Sequence, residues 1–101
     1  MIDLQKIQKE LWENKVSKGF NTEDVTLEFC FTFGELGEAF QAYRKKLPDL
    51  GEELADVMLY LLSIAKMVNV DLEKETINKL EKNKKREYQK INGVNMRTKD
   101  A

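Results

Sequence analysis

The chain has 101 residues, of which 42% are hydrophobic and 35% charged, with one proline and five glycines. This balance predicts one small amphipathic helical domain and excludes a disordered chain. The formal net charge of −1 at pH 7 gives no overall field that would attract nucleic acid or an anionic membrane, so neither partner is expected. Histidine is absent, which excludes imidazole general bases and typical zinc sites.

The cellular setting follows from what the sequence lacks. Charges occur from Asp3 onward with no signal-peptide pattern, and the longest apolar run, Val57 to Leu62, is too short to span a bilayer. The lone Cys30 excludes an internal disulfide. We therefore expect a cytoplasmic protein without a membrane segment.

Hydrophobic periodicity predicts two helices in the first half of the chain. The first helix covers about Ile2 to Ser17 and ends near Gly19, and Asn21 or Thr22 is expected to cap the second. The second covers about Glu23 to Leu47. Its large apolar residues have the 4-3-4-3-4 spacing of a bundle seam: Phe29, Phe33, Leu36, Phe40, Tyr43 and Leu47.

Two further helices are predicted after Pro48. Asp49 with Glu52 resembles a capping box for a third helix, about Leu50 to Asn69, whose apolar arc covers more than half of its circumference. A fourth, lysine-rich helix runs from about Asp71 to Lys90, and no segment shows convincing β-type alternation. We expect a single all-α, four-helix domain over 1–91, helices two and three antiparallel, with a flexible tail over 92–101. The wide arc of helix three predicts completion of the fold by oligomerisation.

Two acidic pairs with the same spacing are the strongest chemical signal. Glu35 with Glu38, and Glu53 with Asp56, are each three residues apart, so both members project from nearly the same helix face. Each pair lies beside apolar residues, where unpaired carboxylates are costly to bury. Oxygen donors from two packed helices suit a hard divalent cation, and the alternative is ordinary surface acids.

A basic triplet lies on the fourth helix. Lys79, Asn83 and Arg86 are spaced i, i+4 and i+7, so they share one face and could bind the oxygens of a polyphosphate. The alternative is a solvated helix end, because this helix is basic on all sides.

These three patterns resemble the MazG-like all-α nucleotide pyrophosphohydrolases. That family carries Glu-Glu-x-x-Glu on one helix, Glu-x-x-Asp on the next and Lys-x-x-x-Asn-x-x-Arg on a later one. The resemblance covers about Thr26 to Tyr88. Here Gly34 replaces the leading glutamate, which removes one possible ligand and is more similar to the dCTP-pyrophosphatase branch.

The resemblance implies Mg²⁺-dependent hydrolysis of a nucleoside triphosphate to the monophosphate and pyrophosphate, with Mn²⁺ as a possible substitute. We assign Glu35, Glu38, Glu53 and Asp56 as the metal ligands. The homodimer or homotetramer that we expect follows from the wide apolar arc of helix three. Glu38 or Glu35 would act as general base, and the sequence does not distinguish the base from the ligands. Lys79, Asn83 and Arg86 would then hold the outer phosphates.

Three alternatives stay open at this level. Trp12, the single tryptophan, could stack on the base or pack in the core. The substrate could differ, as in the related phosphoribosyl-ATP pyrophosphatases. A different class of protein would be a non-catalytic helical oligomer that binds nucleic acid or a protein through its basic fourth helix.

Overall fold

The computed structural model describes residues 2–99, apart from the side chains of residues 87–89, 91 and 95–99. In this part of the chain four helices, α1 (Leu4–Ser17), α2 (Val25–Arg44), α3 (Leu50–Met67) and α4 (Leu72–Lys85), precede two strands, β1 (Glu87–Ile91) and β2 (Val94–Lys99). The chain divides into two compact units, Met1–Asp71 and Leu72–Ala101, which are described separately. The expected four-helix, all-α architecture is confirmed, with a β-hairpin added to it.

Local side-chain chemistry sets the helix starts. Asp24, and not Asn21 or Thr22, caps α2, because its side chain accepts a hydrogen bond from the backbone N–H of Leu27 at 3.0 Å. Asn21 supports this cap, since its Oδ1 accepts from the backbone N–H of Asp24 at 3.0 Å. Asp49 precedes α3 but makes no capping hydrogen bond with its side chain, so the predicted capping box is wrong.

The ends of the first three helices share one geometry. Gly19, Lys46 and Asn69 each have a left-handed backbone, with φ of 69°, 55° and 59°. In each case the following N–H bonds back to a carbonyl five residues earlier, as in the 3.0 Å bond from Phe20 to Lys15. The predicted stop at Gly19 is therefore confirmed.

Helices α1, α2 and α3 form the first unit. Helix α3 packs against both α2 and α1. Glu28 of α2 meets Ser63 near the end of α3, whereas Glu35 lies near Glu53 at its start, so α2 and α3 are antiparallel. The link of five residues between them, 45–49, fits such a pair.

The face of α2 that packs inward differs from the predicted seam. The inward stripe carries small and polar residues at 4-3-4-3 spacing: Glu28, Thr32, Glu35, Ala39 and Ala42, of which all but the half-buried Glu35 are buried. The predicted seam lies one position further along the sequence, about 100° around the helix, and its side chains are exposed. Within one chain, the prediction that this seam contacts the core is therefore wrong. Ala39 and Ala42 allow α3 to approach closely.

Few apolar side chains are buried in one copy of the chain. Among the described residues the buried apolar set is small: Ala39, Ala42, Leu62, Ile64 and Ala65. Far more large apolar side chains are exposed, and they include the outward stripe of α2: Phe29, Phe33, Leu36, Phe40 and Tyr43. None of the helices in the described part of the chain has the length and apolarity needed to cross a bilayer.

The second unit contains α4 and the hairpin. Helix α4 ends at Lys85 and not near Lys90, because β1 begins at Glu87. Strand β1 pairs with β2 in antiparallel register, with Ile91 opposite Val94. The turn is Asn92-Gly93, with φ of 52° and 78°, the positive angles that a two-residue hairpin turn requires. Residues 92–99 therefore differ from the flexible tail that the sequence suggested, and no β-structure had been predicted.

Candidate active site

Three carboxylates from two helices converge in the first unit. Glu35 and Glu38 of α2 and Glu53 of α3 each place an oxygen within 4.8 Å of the other two. Glu35 and Glu53 are half-buried and Glu38 is exposed, so the group opens to solvent on one side. The structure thus joins the two acidic pairs that the sequence identified separately.

Asp56, the fourth predicted ligand, lies one turn after Glu53 on α3. It is half-buried, and its charge raises the pKa of both Glu35 and Glu53, so it lies close to the group of three. Asp56 also lines a cavity of the first unit. It therefore connects the carboxylates to that cavity.

The electrostatics of this group are unfavourable without a cation. Burial raises the pKa of Glu35, and the neighbouring carboxylates, Glu38 first, raise it further. Burial also raises the pKa of Glu53, again with Glu38 as the strongest charged neighbour. Within the described residues, Oε2 of Glu53 is buried and has no hydrogen-bond partner. A carboxylate oxygen turned away from water and from all donors is the ligand that a divalent cation would satisfy.

A cavity of about 380 Å³ adjoins the carboxylates. Asp56 and Tyr60 are among the residues that line it, together with the aromatic rings of Phe20 and Phe31. Burial raises the pKa of Tyr60, and the nearby charge of Glu35 raises it further, so its hydroxyl keeps its proton. The volume and the mixed aromatic and polar lining suit a small organic ligand.

The most buried residues of the cavity wall form a hydrogen-bonded group that we call the Lys15–Glu28–Ser63 cluster. Lys15 donates to Glu28 Oε2 and to Ser63 Oγ, the latter at 2.7 Å, and Ser63 donates to Glu28 Oε2 at 2.7 Å. Asn21 Nδ2 donates to Glu28 Oε1 at 3.3 Å. Each member of the cluster comes from a different helix, so the cluster also joins α1, α2 and α3.

This cluster is not among the site residues that are predicted from the sequence. Its members are 13 to 48 residues apart, and neither Glu28 nor Ser63 belongs to a spaced motif. One signal was present: Lys15 falls on the apolar stripe of α1 with Leu4, Ile7 and Leu11. A lysine on a buried stripe requires a partner, and the structure supplies Glu28.

Trp12 lies elsewhere in the first unit. It lines a smaller cavity, of about 210 Å³, together with Gln8 and Lys66, and its ring centroid is 5.6 Å from Lys15 Nζ. Its stacking on a base stays a prediction. The aromatic rings that line the main cavity are those of Phe20, Phe31 and Tyr60.

The predicted phosphate-binding residues belong to the second unit. Lys79 and Asn83 are exposed on α4, and Arg86 follows the end of this helix and is half-buried. One guanidinium nitrogen of Arg86 donates to Asn83 Oδ1 at 3.0 Å. The structure thus brings Asn83 and Arg86 together.

Carboxylates from two antiparallel helices thus lie beside a cavity, an arrangement that suits a divalent cation and a small ligand. The chain belongs to the MazG family, because the model of the MazG nucleotide pyrophosphohydrolase domain matches residues 26–90. This match includes both acidic pairs and the whole of α4. Neither the curated proteins nor the solved structures gave a match to the chain.

Proposed function

We propose that the protein is a Mg²⁺-dependent nucleoside triphosphate pyrophosphohydrolase, which converts an NTP or dNTP and water to the monophosphate and pyrophosphate. The observation that carries this proposal is the convergence of Glu35, Glu38 and Glu53 within 4.8 Å in a chain that belongs to the MazG family. A cytoplasmic role in clearing unwanted nucleotides fits this activity.

The residues fit a hard divalent cation. Glu35, Glu38, Glu53 and Asp56 supply only oxygen ligands, which Mg²⁺ and Mn²⁺ prefer. The unpartnered Oε2 of Glu53 and the raised pKa values of Glu35 and Glu53 both support the proposal of a cation site. A bound Mg²⁺ would neutralise substrate phosphates and lower the pKa of a coordinated water.

The general base is assigned within the same group. Glu38 is the exposed member, so water reaches it most easily, and we propose it as the base with Glu35 as the alternative. Glu53 is less suited to move a proton because its Oε2 is enclosed. The remaining carboxylates would then serve as ligands.

The cavity gives the nucleoside a place beside the acids. A triphosphate held at Asp56 would extend its sugar and base along Tyr60 toward Phe20 and Phe31. Aromatic rings stack on a nucleobase with little preference for one kind of base over another.

We assign the outer phosphates to the second unit. Lys79, Asn83 and Arg86 offer an ammonium, an amide and a guanidinium, and arginine can bind a phosphate with two hydrogen bonds. These residues could come from the same chain or from another copy in an assembly.

We also propose that the protein assembles into a homodimer or homotetramer through the outward stripe of α2. Phe33 is 70% exposed and Tyr43 65% exposed, with Phe40 between them at 56%. A soluble monomer rarely leaves such a continuous row of aromatic side chains in water. A second copy of the chain presents the same row, so a two-fold contact would cover both.

Release of pyrophosphate tests the catalytic proposal. We expect the purified protein to release pyrophosphate from at least one canonical, deoxy or oxidised nucleoside triphosphate when Mg²⁺ is present, and to stop when a chelator is added. Release of single phosphates instead would contradict the reaction. No turnover with any triphosphate, together with binding of nucleic acid or a protein by α4, would favour the non-catalytic alternative.

A further inference from the structure

The charge of the chain is divided unequally between its two units. The first unit, residues 1–71, contains eight basic and thirteen acidic residues, whereas the second, residues 72–101, contains nine basic and five acidic ones. The net charge of −1 is thus the difference between an acidic unit and a basic one. This net charge, which argues against a nucleic-acid partner, therefore does not describe the second unit.

The positive charge is concentrated at the C-terminal end of the second unit. Residues 82–99, which we call the basic segment, contain seven lysine and arginine residues and a single acidic one. The basic segment consists of the last turn of α4 and the β-hairpin that follows it. Lys82, Lys85 and Lys90 are exposed. Their charges are therefore accessible to a partner that approaches from solvent.

The register of the hairpin separates two kinds of residue. Tyr88 lies opposite Arg97, and Lys90 lies opposite Asn95. Because alternate positions of a strand belong to the same face, these four positions share one face of the hairpin, which we call the Tyr88 face. Three of the four positions on the other face hold apolar residues: Ile91, Val94 and Met96. The hairpin therefore has an aromatic and basic face and a mainly apolar one.

The residue types of the Tyr88 face suit unpaired nucleotides. Lysine and arginine bind the phosphates of a nucleic-acid backbone, and an aromatic ring stacks on a base that is not paired. An amide such as that of Asn95 forms hydrogen bonds with phosphates or base edges. An anionic membrane surface would instead favour Trp, Phe or Leu beside the cations, and the four positions of this face hold none of them.

We propose that the basic segment binds single-stranded nucleic acid, with its lysines and Arg97 on the backbone phosphates and Tyr88 stacked on a base. This binding goes beyond the proposed hydrolysis and does not depend on it, because the basic segment belongs to the second unit and the acidic site to the first. The family match ends at residue 90, so β2 lies outside it. Membership of the family therefore does not account for half of the Tyr88 face.

Fluorescence anisotropy of a labelled oligothymidylate tests this proposal on the wild-type protein. At low salt and in the presence of a chelator, we expect micromolar binding that weakens at least about tenfold when the salt concentration rises from about 50 to 200 mM. No binding at low salt would overturn the proposal. Binding to vesicles that contain phosphatidylglycerol, in preference to the oligonucleotide, would also overturn it.

Charge reversal locates the binding surface. Lys85→Glu combined with Lys90→Glu should weaken binding of the oligonucleotide at least about tenfold, because the phosphates lose two cations and meet two anions. Lys9→Glu combined with Lys18→Glu changes the net charge equally at exposed positions of the first unit and should have little effect. The same loss in both double variants would show attraction by total charge alone and overturn the proposal.

Pyrophosphate release separates this inference from the proposed function. Neither double variant changes a residue of the acidic site or of the set that we assign to the outer phosphates, so release from a triphosphate should equal that of the wild-type protein. Binding of the oligonucleotide is measured without turnover. It would support the basic segment as a binding surface even if no triphosphate were hydrolysed.

Substitution of Tyr88 tests the stacking. Tyr88→Leu removes the ring but no charge, so affinity for the oligonucleotide should fall about five- to a hundredfold while the dependence on salt stays the same. Tyr88→Phe keeps a ring and should keep the affinity. Circular dichroism of both variants checks that the fold is retained. An unchanged affinity in Tyr88→Leu, or an equal loss in Tyr88→Phe, would overturn the proposed mode of binding.

Discussion

Helix α2 has an inward and an outward stripe of residues along its length, and the residue types on the two stripes are the reverse of those on most helices of globular proteins. The inward stripe carries two glutamates, a threonine and two alanines, whereas the outward stripe carries phenylalanines, a leucine and a tyrosine. In most globular proteins the large apolar residues face the core. The reversal supports our two proposals, that the inner face of α2 serves a polar site and that its outer face contacts a second copy of the chain.

This comparison explains why the isolated chain has so small an apolar core. The space between α2 and α3 is occupied by small residues at one end and by carboxylates at the other. Marginal stability is expected for a domain of this size with little buried apolar surface. Assembly through the outward stripe would add the missing burial without filling the site.

The largest expected effect is the loss of activity when one carboxylate charge is removed from the acidic site between α2 and α3. Glu38→Gln and Asp56→Asn each keep shape but remove one ligand charge, so pyrophosphate release should fall on the order of a thousandfold or more. Steady-state assays with Mg²⁺ measure this, and Glu10→Gln on exposed α1 is the control. Near-normal turnover in either variant would remove that residue from the site.

The next effect concerns the outward stripe. Phe33→Lys should weaken self-association, because a two-fold interface loses the side chain twice, at about 1.5–3 kcal/mol each. The combined loss corresponds to at least about a hundredfold in Kd. Gln41→Lys adds the same charge to the same helix outside the stripe and should have little effect. Sedimentation velocity measures both, and a wild-type protein that is monomeric at micromolar concentration would refute the assembly.

A smaller effect is expected from the second unit. Arg86→Ala should weaken binding of a non-hydrolysable triphosphate analogue by about ten- to a hundredfold, and binding of the monophosphate much less, because only outer phosphates are contacted. Lys82→Ala and Lys85→Ala are matched controls on exposed positions of the same helix. Equal, salt-sensitive losses in all three variants would reduce α4 to a general basic surface.

The smallest effect is a dependence of stability on pH in the absence of metal. The pKa values of Glu35 and Glu53 are raised in the folded state, so folding favours their protonated forms. The stability that this provides is present below the unfolded pKa and is lost as the pH rises through the raised values. In the presence of a chelator, the melting temperature of the wild-type protein should therefore decline between mildly acidic and neutral pH, relative to the melting temperature of the Glu53→Gln variant. Parallel curves for the two proteins would contradict the assigned shifts.

The acidic pairs of the site could be predicted from the local spacing of residues, whereas the Lys15–Glu28–Ser63 cluster could not. The acidic pairs were identified because an i, i+3 separation on a helix sets side-chain direction without knowledge of the fold. The Lys15–Glu28–Ser63 cluster depends on packing between residues far apart in sequence, which spacing does not reveal. The predicted seam of α2 is not its buried stripe, because large apolar side chains on this helix are exposed.

The errors at the C-terminal end have a different cause. The basic pattern of α4 was extended to about Lys90, although Asn92-Gly93 between Ile91 and Val94 is a strong local signal for a hairpin. Helix α4 consequently ends five residues earlier than predicted.

Thermal melting with Mg²⁺ tests most directly whether the inward face of α2 is a cation site. At neutral pH, millimolar Mg²⁺ or Mn²⁺ should raise the melting temperature of the wild-type protein, because an ion that binds only the folded state stabilises it. Glu53→Gln should melt at a higher temperature than wild type in chelator, since a buried, unpartnered charge is removed, and should lose the response to metal. No shift in the wild-type protein, or the same shift in both proteins, would contradict the account.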